Sequence, residues 1–179
     1  MRRVISALLL TTCCLNAFGY ERYNREDWAH WLDVDGDCMN TRHEILLASS
    51  KIKPKLSPDR CYVSKGLWAD PYSGLTIDRA SMLDIDHVIP LHWAHKHGGA
   101  AWTEEEKAAF ANDPANLLPV LKSLNQEKSD SGPTEWMPPN HSYRCDYLLK
   151  WNGLLKKYSK LKMYPSEQRV FTKMLEACK

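Results

Sequence analysis

The sequence predicts an α+β domain in which a small sheet is surrounded by helices and stapled by disulfides. Three observations predict it. Short segments of alternating or apolar character lie between residues 61 and 120, capped or amphipathic helical segments flank them, and four cysteines remain once an N-terminal leader is set aside.

The leader comes first. The chain opens "MRR", continues through the apolar run 4–15 and reaches "AFG" at 17–19. A charged start, a short apolar stretch and a small-x-small site in that order predict a secretory signal peptide over residues 1–19. The apolar run is shorter than the ~20 residues a spanning helix needs, so a secreted or periplasmic protein with no membrane segment is expected. Cleavage after Gly19 removes 19 of 179 residues and leaves 160, a single domain over 20–179 with its own core.

Each later element has its own signal. Trp28 and Trp31 recur at helical spacing within 25–32 and predict a first helix; "TRHEILL" at 41–47 predicts a second, with Thr41 and Glu44 as a capping box. Pro54 and Pro58 make 51–60 a connector. Residues 61–77 alternate around "DPYSG" and predict two short strands; "DIDHVIPL" at 84–91 predicts a third, which Pro90 ends. A helical turn over 93–98 follows, then a helix to about Ala111 opened by the capping box "TEEE" at 103–106. "NLLPV" at 116–120 predicts a strand and 122–128 a short helix, and two helices, 143–158 and 166–177, form the tail, the second opened by Pro165.

Charge and cysteines narrow the class. Without Arg2 and Arg3 the chain carries 22 basic and 22 acidic residues, but the tail from Arg144 holds nine basic against three acidic. Such a tail suits a polyanion or a solvated helix face. Cys13 and Cys14 leave with the leader, and Cys38, Cys61, Cys145 and Cys178 in an exported chain predict two disulfides. Three pairings are open, with Cys38–Cys61 and Cys145–Cys178 favoured because each closes a local unit.

Chemistry concentrates in the middle. Asp84, Asp86 and His87 precede Asn116, Asn125, Lys128 and Asp130, and a strand, a strand and a helix would bring them together. Carboxylate and carboxamide oxygens are hard ligands suited to Mg²⁺, and a neutral imidazole beside them can take a proton from water. One constraint follows from strand geometry: regular alternation sends Asp86 and His87 to opposite faces, so the strand must end or bend there.

Asp86, His87, Asn116 and Asn125 at this spacing resemble the site of HNH endonucleases, the ββα-metal fold. The blocks "YNREDW", "DVDGDCMNTRHE", "WADPYSG", "DIDHVIPL", "FANDPANL", "NQEKSD" and "PTEW" extend the likeness over most of the chain to exported HNH proteins related to the C-terminal domain of GmrSD-type restriction endonucleases. The resemblance implies hydrolysis of DNA, with RNA left open as a second substrate, and little sequence preference, because no separate recognition module is visible. It implies His87 as general base, Asp86 and Asn125 as ligands of one divalent ion, and Asn116 as the residue that fixes the loop carrying His87. Asn125 stands where many members have His, which favours Mg²⁺ or Mn²⁺ over Zn²⁺. Asp84 and Lys128 are supporting residues, Lys128 at the phosphate or solvated on the surface. A monomer is expected, and no immunity or inhibitor protein is assigned.

Other residues carry blander expectations. His92, His95 and His97 lack metal-site spacing and are not read as a second metal site. Trp68, Trp102, Trp136 and Trp151 are expected in packing. In "DVDGDCMNTRHE", Asp33, Asp35, Asp37 and Glu44 occupy the first, third, fifth and twelfth places of a calcium loop, with Cys38 where the sixth wants glycine. Negative charge before a helix N-terminus explains them equally well. The rival to a nuclease is therefore a non-catalytic, calcium-dependent extracellular binding module working through this loop.

Overall fold

The computed structural model describes residues 22–178; the leader expected over 1–19 lies outside them. The architecture is α+β, with helices around two small sheets rather than one. In the first sheet β1 (Lys55–Leu56), β2 (Val63–Ala69) and β3 (Thr76–Arg79) run antiparallel in that order. The second is a two-stranded antiparallel ribbon of β4 (Leu83–His87) and β5 (Leu117–Leu121), which pairs Asp84 with Val120, Asp86 with Leu118 and His87 with Leu117. Pro119 is tolerated in β5 because a strand with one partner has a free edge.

Two hydrophobic cores hold the ribbon between them. Leu83, Ile85 and Leu117 pack with Leu46, Val63, Trp68 and Ile77 beneath the three-stranded sheet. Val120 and the residues just after β4, Val88 and Ile89, join the larger core of Trp28, Tyr72, Trp93, Phe110, Tyr147, Trp151 and Phe171. Period-two alternation then decides the polar face: with Leu83 and Ile85 committed to one core, Asp84 and Asp86 are turned away from it. Trp68, Trp102, Trp136 and Trp151 are all buried, as expected of packing residues.

Six helices complete the described residues. They are α1 (Thr41–Ser49), α2 (Leu91–Lys96), α3 (Glu104–Ala111), α4 (Lys122–Lys128), α5 (Arg144–Lys157) and α6 (Pro165–Glu176). The Thr103/Glu106 capping box opens α3 as expected. At α1 the expected box is absent: Asn40 is the cap, its side chain accepting from the His43 N–H, and Thr41 instead donates its hydroxyl to the Leu32 carbonyl. The first expected helix is also corrected. Only a single 3-10 turn, Arg25–Asp27, forms, because Trp28 is drawn into the large core while Trp31 adopts φ 59° and packs against the other. Competing burial of two tryptophans overrides their helical spacing. Both local disulfides form, Cys38–Cys61 and Cys145–Cys178.

Candidate active site

The ribbon ends where the chemistry was expected. β4 stops at His87, and Asp86 and His87 leave it in different directions while both border one polar cleft. Tyr23, Arg25, His92, Asn125, Ser129 and Asp130 complete the polar part of its wall.

Asp86 is 3% exposed, and a buried carboxylate needs charge and hydrogen bonds. Lys128 Nζ from α4 lies 2.9 Å from Oδ1, and the Tyr72 hydroxyl donates to Oδ2 at 2.6 Å. Lys128 also donates to the His87 carbonyl at 2.9 Å. Lys128 is fully buried, so it neither contacts a phosphate nor lies on the surface as expected. Burial pushes the Asp86 carboxyl up and the Lys128 amine down, each held back by the opposite charge of the other. Tyr72, which the sequence reading did not single out, sits in the β2–β3 loop, where Asp70 accepts its backbone N–H.

His87 is anchored differently. Its Nε2 lies 2.8 Å from the carbonyl of Ala111, the last residue of α3. A carbonyl only accepts, so Nε2 carries the proton. Burial, the largest effect, takes the imidazole down to about 3, opposed by that carbonyl and aided by the charge of Arg25. The ring is therefore neutral at ordinary pH, and its Nδ1 holds a lone pair. Trp31 packs beside it with ring centroids 5.7 Å apart.

The two asparagines act on backbone and carboxylate respectively. Asn116 is fully buried; its carbonyl accepts from Val88, and its side chain accepts from the Ile89 N–H at 2.8 Å and donates to the Ile89 carbonyl at 3.2 Å. The segment after His87 is thereby fixed. Asn125 donates through Nδ2 to Asp84 Oδ2 at 3.2 Å, which leaves its amide oxygen without a protein donor among the described residues.

Whether these residues suit a divalent ion depends on donor type. Four lone-pair positions on two oxygens leave Asp86 acceptor capacity beyond Lys128 and Tyr72. With the free Asn125 oxygen in the same cleft this is a hard-oxygen set that fits Mg²⁺ or Mn²⁺. Lys128 already balances the charge of Asp86, so any such ion is held with less than the full attraction of a free carboxylate.

Elsewhere the expected residues separate. Among the described residues, the one cluster of three or more acidic, His or Cys side chains with ligand atoms within 4.8 Å is Asp33, Asp35 and Asp37, all exposed. Cys38 adopts φ 73°, the left-handed backbone that glycine supplies at the sixth place of a calcium loop. The aspartates accept loop N–H groups, Asp33 from Gly36 and Cys38, and Asp37 from Met39. Burial raises the Glu44 carboxyl and the charge of the three aspartates raises it further, but Glu44, expected at the twelfth place, is not part of their cluster. Of the histidines, His97 is buried between the Trp93 carbonyl and Glu167, a clamp from α2 to α6. His92 instead lines the cleft, a position its spacing could not signal. In the basic tail, Lys157 and Lys160 pair with Asp113 and Glu106.

Residues 40–169 match the family described as the C-terminal domain of GmrSD restriction endonucleases. A protein of Arthroderma benhamiae described as an uncharacterized secreted protein is 38% identical over 159 residues, covering 87% of this chain and 76% of that protein. No solved structure matches.

Proposed function

The chain belongs to the family of GmrSD restriction endonuclease C-terminal domains, and from that premise we propose that it is an exported, metal-dependent HNH endonuclease that hydrolyses DNA with little sequence preference. Export is supported by the leader motif, by two disulfides and by the secreted description of the Arthroderma relative. The observation that carries the activity is His87: a neutral imidazole, pinned through Nε2, with its Nδ1 lone pair available at a cleft that also holds Arg25 and hard oxygen donors. The unit of β4, β5 and α4 supports the ββα-metal reading.

In this reading Arg25 attracts the phosphodiester, and His87 Nδ1 takes a proton from the water that attacks phosphorus. The Ala111 carbonyl stabilises the imidazolium that results, and Asn116 keeps His87 from turning. Asp86 and Asn125 would hold the divalent ion, which would supply positive charge against the negative charge that develops at the phosphate. Asp84 orients Asn125, while Lys128 and Tyr72 orient Asp86.

The deciding experiment is cleavage of plasmid DNA by the purified protein with Mg²⁺ or Mn²⁺, and with EDTA. Expected are metal-dependent cutting, 5′-phosphate ends, and a fall of about 10²- to 10⁴-fold in folded His87→Ala. Ends bearing 3′-phosphate, or a folded His87→Ala that cuts at the wild-type rate, would overturn the assignment.

A further inference from the structure

Resting on the nuclease reading, we propose that His92 is the general acid of this site, held by Asp130, and that its Nε2 delivers the proton to the departing 3′ oxygen. His92 lies in the first turn of α2, a short step from His87 along the chain. Its Nδ1 is 2.8 Å from Asp130 Oδ2, and Lys96 Nζ reaches the same oxygen at 2.9 Å. The Tyr23 ring stacks on the imidazole, centroids 4.5 Å apart and planes at 20°. A side-on carboxylate and a face-on ring together fix the imidazole in position and rotation. Because Nδ1 faces Asp130, the remaining nitrogen is Nε2, which has no partner among the described residues, on a ring about one-third exposed (35%) at the cleft that holds His87.

The two imidazoles are built for opposite duties. His87 is buried against a neutral carbonyl, which favours its uncharged form. His92 stands at the rim against a carboxylate, which favours the charged form. Burial, Lys96 and His95 draw His92 below its ordinary range and Asp130 opposes them. The difference between them is one of partner and position: one ring is buried on a carbonyl, the other stands at the rim on a carboxylate with Nε2 turned free. Asn116 has a second consequence here, since the Val88–Ile89 backbone it fixes is the first half of the four-residue spacer between the two histidines.

The step balances. Water oxygen bonds to phosphorus as its proton passes to His87 Nδ1; the P–O3′ bond breaks and its electron pair takes the proton of His92 Nε2. A 5′-phosphate and a 3′-hydroxyl result. Solvent then takes the proton from His87 and restores one to His92.

The test compares leaving groups. An oligonucleotide with one 3′-bridging sulfur leaves as a thiolate that needs no proton, and cleavage at that bond is read against the same bond with oxygen. His92→Gln is expected to slow the oxygen bond by about 10²- to 10³-fold and the sulfur bond by less than about threefold. Asp130→Asn, a positioning change, gives a smaller loss with the same preference for sulfur. The wild-type rate on oxygen falls on the alkaline side as His92 loses its proton, and that limb is absent with sulfur. Equal losses on both bonds, or none on oxygen, overturn the acid assignment while His87→Ala, slow on both, keeps the nuclease reading. A wild-type protein inactive on both bonds ends the nuclease reading and this one together.

Discussion

Two acidic regions stood out in the chain, and they differ in what surrounds them. At the end of β4, Asp86 is buried, and Lys128, Tyr72 and the core around them satisfy it. In the loop before α1, Asp33, Asp35 and Asp37 are exposed and converge with no lysine or arginine bonded to them among the described residues, so only loop N–H groups and water answer their charge. A buried carboxylate must be matched by the fold itself, whereas an exposed one leaves its charge to solvent. The same residue type is thus an architectural anchor in one place and a weakly held surface charge in the other.

The largest expected effect lies at the buried pair. Lys128→Met leaves Asp86 charged, desolvated and without its cation, which costs about 3–5 kcal/mol of folding stability. Urea unfolding reads this directly, and a loss below about 1 kcal/mol would show that water reaches Asp86 after all. Adding Asp86→Asn to that variant is expected to recover part of the loss, because the uncompensated charge is gone.

Acidification acts with opposite sign on His87, beside the buried carboxylate, and on Glu44, beyond the exposed ones. His87 has a folded value near 3 against an ordinary 6.5, so its contribution is complete above about 6.5 and is lost as pH falls toward 3. At pH 4 the loss is about 3 kcal/mol. Glu44 has a raised value, and acidification relieves it, so the loop gains stability as pH falls. Melting temperatures at pH 7 and pH 4 are expected to drop less in His87→Gln than in wild type, and more in Glu44→Gln. A Glu44→Gln drop smaller than wild type would reverse the sign assigned to the loop.

Each disulfide closes one unit. Cys38–Cys61 joins the acidic loop to the residues before β2, and Cys145–Cys178 joins α5 to the residues after α6. Loss of either is expected to cost about 2–4 kcal/mol. Hydrogen exchange locates the effect: Cys145→Ser loosens α6 and leaves the loop protected as before, and Cys38→Ser does the reverse. Four free thiols in the unreduced protein would remove the basis for both.

How much of this was legible depended on distance along the chain. The α3 capping box, α4, the tail helices and the ribbon strands carry their signals within a few residues, and each forms close to where those signals point. Asp86 and His87 could be named because they interrupt an apolar strand. What the sequence did not show is which groups face them: Lys128 is 42 residues from Asp86, and Tyr72 is 14. His92 was hidden among His95 and His97, since only the fold sends one to the cleft and another to α6. Trp28 and Trp31 misled for the same reason, because their spacing is local and their destinations are two different cores.

The smallest expected effect tests the exposed side of the comparison. Asp35 contributes one weak hydrogen bond, accepting the Asp37 N–H at 3.4 Å, and otherwise adds like charge to Asp33, Asp37 and Glu44. Asparagine keeps an acceptor oxygen at that position and removes the charge. Asp35→Asn is therefore expected to stabilise the protein by a few tenths of a kcal/mol, roughly 1 °C in melting temperature. The gain shrinks in added salt, because exposed charges are screened beyond about 8 Å at physiological ionic strength. Calcium supplies the sharper contrast. A cation bound by the three carboxylates would stabilise wild type in proportion to the logarithm of its concentration and do little for the variant. If the aspartates serve the loop alone, Asp35→Asn stays the more stable protein in millimolar calcium, which is the expected result; wild type overtaking it would make the acidic loop a cation site.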